Sequence, residues 1–77
     1  MTWEELLKNR TIMPTLRHSG HMLACRAAVL AKFPNAQIVD AGTDLWKLRD
    51  GEKDLSNEHN SHYACWSEAR DIMEMLA

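Results

Sequence analysis

The stretch Ile38-Val39-Asp40-Ala41-Gly42-Thr43-Asp44-Leu45-Trp46-Lys47-Leu48-Arg49-Asp50-Gly51 decides the fold. Strand-forming side chains stand on either side of Asp40-Ala41-Gly42, which predicts strands over about residues 36–40 and 44–49 with a bend near 41–43. Asp50-Gly51 is itself a two-residue turn signal, so residues 52–55 are expected to add a short third strand. The unit is therefore an antiparallel β-hairpin or a three-stranded meander. Trp46 and Leu48 alternate with Lys47 and Arg49, as in a sheet with one face on a core and the other in water.

Upstream, Pro34 disfavours helical geometry at Phe33 and ends any helix near Lys32 or Phe33. Leu16, Gly20, Leu23, Ala27 and Leu30 recur at steps of four and three, the spacing of one helical face. The helix starts either at Pro14 or, if Ser19 is its cap, at Gly20. The leucine stripe is expected to be buried with Trp46 and Trp66. A shorter first helix over residues 2–9 is signalled by Thr2 and Glu5, which make a T-x-x-E capping box, with Trp3, Leu6 and Leu7 as its apolar side. At two turns it needs a larger surface to dock on.

Downstream, the tract Ser56-Asn57-Glu58-His59-Asn60-Ser61 holds several candidate helix caps. His62, Trp66, Ala69, Ile72 or Met73, and Leu76 recur on one face, favouring a last helix that starts no later than Asn60. The rival is a strand over 62–66 and a helix capped by Ser67. The expected fold is α+β: two N-terminal helices, the hairpin or meander, and a C-terminal helix, in the order ααββα.

The chain has 77 residues, enough for one core, so a single compact domain over 1–77 is expected. An acidic start and no apolar run of about 18 residues point to neither a secretory signal nor a membrane span. With only Cys25 and Cys65 as thiols, a reducing, cytoplasmic setting is expected. The net charge of −2 weighs against a dedicated nucleic-acid coat. Residues 1–38 nevertheless carry five basic and two acidic side chains, a balance of +3, and residues 39–77 four basic and nine acidic, a balance of −5.

All four histidines and both cysteines fall into two clusters, His18-x2-His21-x3-Cys25 and His59-x2-His62-x2-Cys65. Imidazole and thiolate are zinc's preferred ligands, and the best tetrad is His21, Cys25, His62 and Cys65, with His59 in reserve. No tight Cys knuckle accompanies them, and on a helix His21 and Cys25 point away from the leucine stripe. The simpler assignment is that the cysteines are small buried apolar groups and no cofactor is bound. Catalysis has no sequence support: there is no nucleophile turn and no glycine-rich phosphate loop, and Asp40, Asp44, Asp50 and Asp54 are what exposed turns look like.

The charge and aromatic pattern suggests binding. Arg17, His18, His21 and Lys32 share a basic helical sector, and Arg17, Arg26 and Lys32 are candidate partner contacts. Trp3, on a short terminal element, either seals the core or serves as an anchor for a partner. Met13, Met22, Met73 and Met75 either fill gaps or give an adaptable surface. The leading expectation is a noncatalytic protein-interaction module, an inhibitor, adaptor or accessory regulator of a larger protein assembly, with a homodimer as a further option. The alternative is a small nucleic-acid-associated regulator, zinc-stabilised in one version, although Asp40 and Asp44 place acid where a DNA-reading hairpin needs base.

Overall fold

A computed structural model describes residues 2–9 and 22–76. Its elements are α1 (Trp3–Asn9), α2 (Met22–Lys32), β1 (Ala36–Gly42), β2 (Leu45–Asp50), β3 (Lys53–Asp54) and α3 (His62–Leu76). The fold is the expected α+β arrangement, with the meander rather than the bare hairpin. The strands form one antiparallel sheet in the order β1-β2-β3.

Each turn has a local cause. Thr2 Oγ1 accepts the Glu5 amide at 3.2 Å while Glu5 Oε1 accepts the Thr2 amide at 3.2 Å, so the capping box opens α1. Beyond α2, the Phe33 amide reaches back to the Val29 carbonyl at 2.7 Å and the Ala36 amide to Phe33 at 3.0 Å, turning the chain around Pro34 into β1. The β1–β2 bend falls at Thr43-Asp44, at the end of the expected 41–43 span, because the register shifts between Asp40 and Gly42 and β1 runs two residues further than expected. Asp44 adopts φ +57°, a left-handed geometry that Asp tolerates. At the second turn Gly51 has φ +62° in the first loop position, where a side chain is disfavoured.

The pairing of Ile38 with Leu48 and of Asp40 with Trp46 puts these side chains on the helix-bearing face, and the pairing of Gln37 with Arg49 and Val39 with Lys47 fills the open face. On that face Asp54 lies 2.9 Å from Arg49 and 3.4 Å from Lys47. The core joins Trp3, Leu7, Cys25, Val29, Leu48, Leu55, Cys65, Trp66, Ala69 and Ile72, with Leu30, Phe33, Ile38 and Trp46 packed against it. Trp3 is buried: its indole N–H donates to the Leu55 carbonyl at 3.1 Å and its ring meets Phe33 edge-on at 5.2 Å. It seals the core, and the anchor alternative is set aside for it.

Two corrections concern the helices. In α2 the buried residues are Cys25 and Val29, whereas Leu23 is 71% exposed and Ala27 is exposed; Leu30 is half-buried and Leu16 lies outside the described residues. Only Arg26 and Lys32 are polar among the eleven residues of α2, so nearly any face could have been the inner one. Small and β-branched side chains form the inner one, against Ala69 and Ile72 of α3 in the shared core. Of the sector assigned as basic, Arg17, His18 and His21 lie outside the described residues, while Cys25 on the same side is buried and Lys32 is exposed in the last turn. In α3 the start is later than expected: Ser61 Oγ accepts the Ala64 amide at 3.1 Å, so Ser61 is the cap. The buried side runs through Cys65, Glu68, Ala69 and Ile72, leaving His62 and Leu76 exposed.

Candidate functional site

Two places concentrate chemistry: a closed polar cluster between the 55–61 loop and α3, and an open groove between α2, β1 and α3.

The cluster begins with β2. The Trp46 amide donates to the His59 carbonyl at 2.8 Å and the His59 amide to Trp46 at 2.9 Å, while the Leu55 and Ser56 amides both reach the Leu48 carbonyl. The loop thus lies against β2 and carries its polar side chains under α3. Ser56 Oγ accepts the Leu48 amide at 2.9 Å and donates to the Asn57 carbonyl. Glu68 accepts the Asn57 amide at 2.6 Å and the Asn57 side-chain amide at 3.3 Å, and lies 3.1 Å from His59 Nε2. Asn57 also donates to the Leu7 carbonyl at 3.0 Å, closing the end of α1. Buried acid of this kind is stable only when hydrogen-bonded, and this one is.

Cys65 sits beside this cluster, fully buried, and its thiol donates to the Trp46 carbonyl at 3.4 Å. Burial pushes the Cys65 thiol above its ordinary range; the Ser56 hydroxyl opposes this, and the Glu68 carboxylate adds to it. A thiol held protonated and closed from solvent is the reverse of an activated nucleophile.

The described members of the proposed zinc set, Cys25, His62 and Cys65, do not converge on one point. Cys25 is buried on α2, where Arg70 donates to its sulfur at 3.6 Å; Cys65 is bonded to β2; His62 is exposed and stands edge-on to Trp46 at 4.9 Å. Each is committed elsewhere. Among the described residues no three His, Cys, Asp or Glu side chains converge as a metal set would, and His21 lies outside those residues. The reserve ligand His59 is bound to Glu68 instead.

The groove, of about 490 Å³, is lined by Met22, Leu23 and Arg26 from α2, by Ile38 from β1 and by His62 and Trp66 from α3. The Arg26 guanidinium lies 6.0 Å from the Trp66 ring centroid. Of the candidate partner contacts, Arg26 is therefore in the groove, Lys32 is exposed in the last turn of α2, and Arg17 lies outside the described residues. A second cleft, of about 510 Å³, has Glu4, Lys8, Lys47, Asp54 and Glu58 on its walls, mixing both signs of charge. No helix among the described residues is long and apolar enough to cross a membrane.

Sequence reading missed both the cluster and the groove. Glu68 offered one signal. With Cys65 at zero and about 100° per residue, Glu68 falls near 300°, between Ile72 near 340° and Asp71 near 240°, at the edge of the apolar sector. An acid there requires buried partners. No protein-family model, curated protein or solved structure matches this chain.

Proposed function

We propose that this domain is a noncatalytic protein-interaction module of the cytoplasm, serving as an inhibitor, adaptor or accessory regulator of a larger assembly. The observation that carries the reading is Leu23, 71% exposed at the rim of a groove whose floor includes Trp66. A solvent-facing leucine is ordinary when alone. Here Met22, also exposed, and half-buried Ile38 extend the apolar surface, and a basic side chain borders it, which is how a binding patch differs from scattered exposure. The other polar concentration supports the reading by contrast: the Glu68 cluster is enclosed and occupied with holding α1, the loop and α3 together.

The test is site-specific photo-crosslinking in the producing cells, with benzoylphenylalanine at position 23 and, as control, at exposed position 52 in the β2–β3 turn. A discrete protein adduct from position 23, resistant to nuclease and missing from position 52, is expected. Adducts that are identical at both positions, or that vanish with nuclease, would defeat the reading.

A further inference from the structure

We propose that the groove between α2, β1 and α3 receives an acidic segment of a partner protein, one that sets a carboxylate on Arg26 and a large apolar side chain against Leu23 and Ile38. This rests on the interaction-module reading and names the chemistry of the partner.

The groove is asymmetric in charge. Among the described residues Arg26 and His62 are its ionisable groups, and no Asp or Glu lines it. The whole of α2 is free of acid. Among the described residues Arg26 has an aromatic neighbour, Trp66, and no carboxylate partner, although the chain carries eleven acids. Arg26 is exposed beside the indole, within reach of an incoming carboxylate, and a charge-assisted bond there strengthens as the partner covers the groove and excludes water. Its planar fork also fixes the orientation of the incoming acid.

The same asymmetry argues against the other occupants. A second copy docking through this groove about a two-fold axis would bring Arg26 and His62 toward their own duplicates, with no acid in the groove to separate them. A nucleic acid needs several cations along a phosphate track, and the described residues of this surface offer one arginine and one histidine beside mostly apolar side chains. The extended backbone of β1 borders the groove as an edge strand, since in the described sheet it pairs with β2 alone, so an extended segment also finds a backbone to lie along.

The experiment is selection of a random twelve-residue peptide display library against the purified 77-residue chain, with binding of the synthesised winners followed by fluorescence anisotropy. Enriched peptides are expected to carry Asp or Glu within a few residues of a Leu, Ile, Phe or Trp. Arg26→Glu and Leu23→Ala should each weaken them tenfold or more, and Arg26→Lys should weaken them less than Arg26→Glu. Lys8→Glu makes the same charge change on α1, outside the groove lining, and should alter affinity less than threefold. All the substituted positions are exposed, so the variants should melt as the parent does, and melting curves verify that. Winners without acid, or winners indifferent to Arg26→Glu, would overturn the proposal. So would a dimer in sedimentation that Leu23→Asp dissolves. If position 23 still crosslinks to a protein while the selected peptides lack acid, this inference alone fails; if neither experiment finds a ligand, the interaction reading fails with it.

Discussion

Glu68 Oε1 lies 3.1 Å from His59 Nε2, with the two side chains only 1% and 5% exposed. The contact joins a carboxylate oxygen to a ring nitrogen, and the imidazole tautomer sets which of the two donates. The same carboxylate holds Asn57, whose side chain closes the end of α1, so one buried acid ties together the first helix, the loop and the last helix.

Glu68→Leu should therefore destabilise the domain by about 3 kcal/mol or more, because it leaves the Asn57 amide and the His59 ring without their partner. Urea denaturation followed by tryptophan fluorescence measures this. A midpoint equal to the parent's would show that the cluster contributes nothing to folding.

The inner face of α2 can be tested by a pair of truncations. Val29 is fully buried and Leu23 is 71% exposed. Val29→Ala should cost about 2 kcal/mol through lost burial and the cavity left behind. Leu23→Ala, although it removes more atoms, should stay within about 0.5 kcal/mol. The reverse order in chemical denaturation would return the leucine stripe to the core.

This reversal explains what the sequence could and could not reveal. Turns are written locally: the Thr2-Glu5 box formed where expected, and the turn signalled by Asp50-Gly51 formed one residue later, at Gly51-Glu52, with Asp50 paired to Lys53. The facing of α2 is not local. Its leucines repeat at helical spacing, but Cys25 and Val29 are apolar too, and only the fit against Ala69 and Ile72 selects between the two sides. The Glu68 cluster is less legible still, because its partners arrive from residues nine and eleven positions earlier through a loop whose path depends on β2.

Trp3 separates packing from hydrogen bonding. Trp3→Phe keeps an aromatic ring against Phe33 but loses the donor to Leu55, and should cost about 1 kcal/mol from the hydrogen bond, with any loss of packing added. Trp3→Ala should cost about 3–5 kcal/mol and release α1 from the core. Thermal unfolding by circular dichroism gives the ranking. Equal melting temperatures for Trp3→Ala and the parent would make the indole dispensable to the fold.

Cys65 predicts a pH dependence whose sign follows from its burial. The folded thiol keeps its proton to higher pH than the unfolded one, chiefly because burial penalises the thiolate. Below about pH 8.5, the ordinary thiol value, both states are protonated and the contribution of Cys65 to stability is fully present. As pH rises beyond that, the unfolded chain gives up its proton while the folded chain retains it, so unfolding is increasingly favoured, and the contribution is lost as pH rises through the folded value. Cys65→Ala removes this titration while leaving every other ionisable group in place. Urea midpoints at pH 7.5, 8.5 and 9.5 should fall more steeply for the parent than for Cys65→Ala, whatever the difference between the two proteins at pH 7.5. Parallel curves would mean that the folded and unfolded thiols titrate together, which a sulfur closed from solvent between Trp46 and Glu68 does not allow.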